Sequence, residues 1–243
     1  MKIFVFTDNR FVYQNLRPIL LAQEVTVVDF FCSPSSAEIF REEIADGGIR
    51  CALVNQELPL LLEYQLGFSC HSKHIFPEEL VNGVRCVNIH PGMNPYNRGW
   101  YPQVFSILNK KPVGVTIHEM NKEIDHGPII CQTQVEIEEW EASVDVYMRL
   151  LEQEVELFRK WVPRLISGNY QTMQPKVEGN FNSKRDFSDL CAIDLDERVT
   201  FREAIDYLRA MSHPPFFNAY YCSGESKIYL RLELRREITG DDA

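Results

Sequence analysis

An amide, an imidazole and a carboxylate stand where one sheet edge can gather them: Asn88, His90 and Asp125. Asn88 and His90 are two residues apart at the end of the apolar run Val84-Arg-Cys-Val-Asn-Ile. In a strand, side chains at i and i+2 share a face. Pro91-Gly92 breaks the run at once, which sets the pair at the strand's rim. Asp125 follows a second strand-like run, Val113-Gly-Val-Thr-Ile-His, and opens the turn His126-Gly127-Pro128. Ligands of open α/β sheets bind along such an edge. These three groups suit acyl transfer to an amine. A histidine near neutral pKa takes the proton that the attacking amine must lose. An asparagine NH₂ donates to a carbonyl oxygen as it gains negative charge. A carboxylate orients the imidazole and steadies its charged form. Taken singly, the same residues also suit a turn asparagine, a packed histidine and a loop cap, because an isolated Asn-x-His is a weak motif.

The elements that must position the trio are legible on either side. Lys2–Thr7 is nearly all apolar, as a buried parallel strand should be, and Asp8-Asn9 ends it. Val12, Leu16, Ile19 and Leu20 recur at helical spacing, with Pro18 an irregularity. Val25–Phe31 reads as the second strand, and Ser35-Ser-Ala-Glu38 as a capping box opening a helix that stops at Gly47-Gly48. This alternation predicts a Rossmann-like α/β fold with a mostly parallel sheet and flanking helices. There is no GxGxxG after the first strand, so no nicotinamide or flavin dinucleotide is expected. Leu58, Leu61, Leu62 and Leu66 suggest a helix that Pro59 should start late, before Gln65–Cys70 enters the sheet.

Gln103–Leu108 reads as a short helix and Ile129–Ile137 as a returning strand. Ser143–Ile166 is the longest helix, with Val144, Tyr147, Leu151, Val155, Phe158, Val162 and Leu165 as its apolar stripe and Gly168 as its stop. Asn169–Asp189 is polar and expected to loop back over the main domain. Thr200-Phe-Arg-Glu203 is a capping box for a further helix that Pro214-Pro215 stops. Phe217–Cys222 and Lys227–Leu234 alternate around Ser223-Gly224 as a β-hairpin. The division is therefore a catalytic domain over 1–168 and a C-terminal loop, helix and hairpin extension over 169–243. A lone hairpin is marginal, so a homodimer through this end is expected.

Composition bounds the partners. The 243 residues carry a net charge of −10, which argues against a nucleic-acid backbone as the main partner. Seven cysteines without CxxC spacing indicate reduced cytoplasmic thiols and no zinc framework. The N-terminus lacks a signal peptide's apolar stretch, and no run approaches the ~18 residues of a membrane helix. His71 and His74 sit in a loop, and His118 has no second histidine at helical spacing, so no metal is expected. In the loop Asn94–Trp100, Arg98 is suited to bind a pyrophosphate bidentately, with Asn94, Tyr96 and Asn97 adding hydrogen bonds. Asn9 could face a ligand or cap the first helix.

The order Asn-x-His-Pro-Gly, Asn-Pro-Tyr-Asn-Arg-Gly, Gly-Val-Thr-Ile-His-Glu and Asp-His-Gly-Pro-Ile-Ile resembles the 10-formyltetrahydrofolate-dependent formyltransferases. More narrowly, it resembles the nucleotide-sugar N-formyltransferases. The likeness is densest over 70–134, and Thr7–Asn9 and Glu178–Phe187 match more loosely. It implies the formyltransferase fold, with Asn88, His90 and Asp125 catalytic. Asn88 and a protonated His90 would stabilise the oxyanion, His90 would handle the proton, and Asp125 would orient His90. It implies Lys73, Phe76 and Asp125 at the folate, and Asn9, Asn94, Tyr96, Asn97, Arg98, Asn180 and Lys184 at the nucleotide sugar. The implied substrates are 10-formyltetrahydrofolate and a dTDP-linked amino-dideoxysugar, foremost dTDP-4-amino-4,6-dideoxyglucose, for O-antigen or surface polysaccharide synthesis. Relatives acting on initiator tRNA carry a further C-terminal domain, for which this chain looks too short. Two alternatives stay open: a formyltransferase for a 3-amino sugar nucleotide or a phosphoribosyl amine, and a catalytically silent nucleotide-sugar or folate binder.

Overall fold

The computed structural model describes residues 1–24 and 27–237. Val25 and Thr26, where the second strand was expected to start, lie outside the described residues. The first half alternates β1 (Lys2–Thr7), α1 (Arg10–Leu21), β2 (Val27–Cys32), α2 (Arg41–Ala45), β3 (Arg50–Cys51), α3 (Val54–Leu61), β4 (Leu66–Cys70), α4 (Glu78–Gly83) and β5 (Arg85–His90). Next come β6 (Arg98–Gly99), α5 (Pro102–Asn109), β7 (Val113–Glu119), β8 (Ile129–Val135) and α6 (Ser143–Ser167). The C-terminal part holds β9 (Phe181–Asn182), α7 (Lys184–Leu190), α8 (Phe201–Met211), β10 (Ser212–His213), β11 (Phe216–Phe217), β12 (Ala219–Ser223) and β13 (Ser226–Leu230).

Seven strands form one sheet in the order β3-β2-β1-β4-β5-β7-β8. The first five are parallel; β7 and β8 turn antiparallel. Alternation in β1 sorts the core into two layers. Ile3 and Val5 pack with α1 and α6 on one face, while Phe4 and Phe6 pack with Phe31, Tyr64 and Phe76 on the other. Sheets covered on both faces read as unbroken apolar runs, and every residue of β4 is buried.

Several expectations are corrected. The Ser35–Glu38 capping box does not form: the serines make a 3₁₀ turn, Pro34–Ser36, and α2 is only a short helix. Ser33 Oγ instead donates to Asp8 and lies 2.9 Å from Ser35 Oγ, so the hydroxyls serve a loop network. The third helix starts at Val54 and carries Pro59 inside it. On α6 the buried stripe begins with Val146 and Leu150 rather than Val144. The C-terminal loop contains α7, whose Ser183–Asp186 capping box was a readable signal passed over. The hairpin is shorter than expected, because Phe217 pairs with Ser212 in a separate small ribbon. The segment after Gly168 does return over the sheet: Met173 pairs with Ile129, and Phe181–Asn182 runs beside Arg98–Gly99.

Candidate active site

The site forms where the last parallel strand meets the first antiparallel one. β5 ends on His90, and β7 sets His118 directly opposite Asn88. The turn after β7 delivers Asp125 to the same rim, with φ +51°, a left-handed conformation that Asp tolerates better than most residues. Asn88 Nδ2 donates to Asp125 Oδ1 at 2.7 Å. His90 Nδ1 lies 3.6 Å from Asp125 Oδ2, which also accepts the Gly99 N–H at 3.1 Å. The predicted trio therefore converges, and Asp125 is its centre.

His118 is a fourth member that the sequence reading named only as a metal candidate. Its Nδ1 donates to the Glu119 carbonyl at 2.7 Å, and a carbonyl can only accept, so Nδ1 carries a hydrogen. Its Nε2 faces Asn88 Nδ2 at 3.2 Å. Both hydrogens of the Asn88 amide are thus taken by Asp125 and His118. To donate to a formyl oxygen, as expected of it, Asn88 must turn one of them away from these acceptors.

Burial decides the charge states. His90 is 5% exposed, and desolvation lowers its pKa even though the Asp125 charge opposes this. A lowered pKa favours the uncharged imidazole at rest, a form that can accept a proton. Desolvation pushes Asp125 up, but His90, His118 and the Gly99 N–H outweigh it and hold the carboxyl at about 2. Asp125 stays ionised and can balance the imidazolium once it forms. Among the described residues His90 Nε2 is buried without a hydrogen-bond partner, and a Cβ at Gly92 would lie 2.3 Å from it. Glycine at that position keeps the reactive nitrogen clear.

The other expected residues divide. Asn94 and Arg98 border a cavity of about 310 Å³ together with Asp125, Gly127, Lys176 and Glu178. Asn94 Oδ1 and Arg98 Nε are buried without partners among the described residues, which suits groups that receive a ligand. Tyr96 is half-buried in the same loop. Asn97 is corrected: it is fully buried, with hydrogen bonds to Ser106, Asn109, Asn180 and Asn182. Asn180 is likewise occupied, accepting from the Asn97 N–H and Lys111 Nζ. Both hold the loop in shape rather than present side chains to a ligand. Asn9 caps α1 through Val12 N and donates to Tyr147 Oη at 2.9 Å, so its side chain is engaged by the fold. Phe76 is 3% exposed, its ring packed between Phe4 and Phe6 in the core. Lys73 is exposed, with Nζ on Ser36 Oγ at 2.9 Å. Lys184 lies over the Trp100 ring, 3.9 Å from its centroid.

Comparison with known proteins gives the family. Residues 70–162 match the formyl transferase family model, and residues 186–236 match the N-formyltransferase dimerization C-terminal domain. The dTDP-4-amino-4,6-dideoxyglucose formyltransferase of Mycobacterium tuberculosis is 39% identical over 240 residues, 98% of each chain. Among solved structures, a 4-N formyltransferase from Francisella tularensis is 49% identical with a TM-score of 0.94, covering 97% of this chain and 98% of that one. A sugar N-formyltransferase from Shewanella sp is 41% identical with a TM-score of 0.92, covering 98% of this chain and 99% of that one. A rim that places amide, imidazole and carboxylate together, on a fold shared end to end with these enzymes, makes the chain a member of the sugar N-formyltransferase family.

Proposed function

We propose that the protein transfers the formyl group of 10-formyltetrahydrofolate to the 4-amine of dTDP-4-amino-4,6-dideoxyglucose. The observation that carries the chemistry is the buried His90, with Nδ1 3.6 Å from Asp125 Oδ2 and Nε2 without a hydrogen-bond partner among the described residues. The free amine attacks the formyl carbon, and a C–N bond forms. His90 takes the proton released from the attacking nitrogen, and Asp125 steadies the resulting imidazolium. Asn88 turns an N–H toward the oxyanion. As the bond to the folate nitrogen breaks, His90 returns the proton to that nitrogen.

The sugar assignment rests on the name carried by the M. tuberculosis relative and on the 4-N specificity named for the Francisella enzyme. Arg98 and Lys176 on the cavity wall supply the positive charge a pyrophosphate needs, and Asn94 and Tyr96 stand beside them. Lys184 is a third cation for the nucleotide, and Lys73 remains the residue proposed for the folate. We place the catalytic unit at 1–168, completed by the returning segment, and a homodimer contact in the C-terminal hairpin region. The free state of all seven cysteines supports a reducing cytoplasm. Incubation with both substrates should give the sugar nucleotide a mass increase of one formyl group. Absence of that product, with other amines formylated or with none, would bring the phosphoribosyl-amine or the silent-binder reading forward.

A further inference from the structure

Glu154 is out of keeping with its helix. Its neighbours on the inner face of α6, Leu150, Leu151, Val155 and Phe158, are buried and apolar, yet Glu154 is itself 1% exposed. Burying a carboxylate costs on the order of several kcal/mol unless a partner compensates. Here the partner is His71, whose Nε2 lies 2.6 Å from Glu154 Oε2. His71 follows Cys70, and Cys70 is in register with Ile89, so His71 stands beside His90 across the strand ends. A carboxylate accepts, so Nε2 carries the hydrogen and Nδ1 keeps a lone pair. That lone pair accepts the Tyr147 O–H only at long range, 3.5 Å, while the Tyr147 oxygen accepts from Asn9 Nδ2. The arrangement is a carboxylate-anchored imidazole whose second nitrogen makes only a long bond to a hydroxyl, one strand over from the catalytic histidine.

The reaction has work for such a group. An aliphatic amine, with pKa of about 8 to 10, reaches the site mostly as an ammonium ion. Only the free amine attacks, and His90 must stay neutral to receive the proton that attack itself releases. We propose that His71, held by Glu154, takes the first proton, from the bound ammonium, and so generates the nucleophile. This rests on the amino-sugar reading above. The step is R–NH₃⁺ plus neutral His71 giving R–NH₂ plus His71 imidazolium, ion-paired to Glu154. The imidazolium gives its proton to solvent after the product leaves. The groups facing the pair are Tyr147 from α6, Cys70 from β4, His90 from β5 and Asp8, whose N–H donates to the His71 carbonyl. Burial pushes Tyr147 to about 12 and Cys70 well above the usual thiol, so neither competes for the proton. Burial also raises Glu154, with His71 pulling it back.

The test is the pH profile of kcat/KM for the amino sugar. His71→Asn suits the site, because His71 has φ +57° and Asn tolerates that region. Its deficit should be about 100-fold near pH ~6.5 and shrink to within about threefold near pH ~9.5, where the amine is already free. Glu154→Gln, of equal size, should show the same trend more weakly. A deficit that stays constant or grows with pH in both variants would overturn the proposal and leave the pair a packing feature. Formylation by the unaltered protein is measured in the same assay; if it is absent, the amino-sugar reading itself fails.

Discussion

The rim around Asp125 and the C-terminal ribbons break the ordinary rule of burial in opposite senses. At the rim, polar and ionisable groups are buried: His90, Asn94 and His118 belong to the interior. In the C-terminal part, apolar rings face outward: Phe216 is 62% and Phe217 55% exposed, and Tyr229, Ile228 and Phe201 are exposed beside them in sequence or ribbon. A buried polar cluster and an exposed apolar patch are the two departures that carry information. The first prepares charge states for chemistry. The second is the kind of surface a protein partner covers, and residues 186–236 match the N-formyltransferase dimerization C-terminal domain.

If the comparison is right, the two regions respond to different insults. His90→Asn should cut turnover by ~10²–10⁴-fold, as expected of a lost general base, while thermal melting and assembly stay near those of the unaltered protein. Near wild-type turnover would remove the rim's claim to chemistry. The paired change Phe217→Asp and Tyr229→Asp should do the reverse, converting dimer to monomer in sedimentation velocity with the trio's geometry intact. A dimer that persists would mean that another surface carries the assembly. The smallest effect is expected at the cavity wall. Arg98→Ala should raise the KM for the nucleotide sugar about 10-fold or more, the worth of a charge-assisted hydrogen bond, and leave that for the folate nearly unchanged. Equal loss for both substrates would make Arg98 structural.

The trio, the alternating strands and the long α6 were legible because each rests on local pattern: i, i+2 spacing, apolar runs and helical periodicity. What escaped depends on who the neighbours are. Asn97 reads as a ligand-binding asparagine until the structure shows four side chains closing around it. Phe76 reads, from the resemblance, as a residue at the folate until the structure shows Phe4 and Phe6 enclosing it. Glu154 sits at a stripe position of α6, but its meaning waits on His71, 83 residues away. The lowered pKa of His90 is likewise hidden, since sequence shows which groups are present and not how much water they lose. Hydroxyl-rich Ser35–Glu38 matched a capping pattern, but Asp8 drew the Ser33 hydroxyl into a different bond.

The most direct measurement of the central claim is steady-state kcat/KM for dTDP-4-amino-4,6-dideoxyglucose and its 3-amino isomer, each with 10-formyltetrahydrofolate. With the pyrophosphate pinned near Arg98, the amine must come within ~3–3.5 Å of the formyl carbon, and a one-carbon displacement on the ring exceeds that tolerance. The account predicts strong preference for the 4-amino sugar, expressed in kcat/KM. Faster turnover of the 3-amino isomer would contradict the substrate assignment, and no formylation of either would contradict the account as a whole.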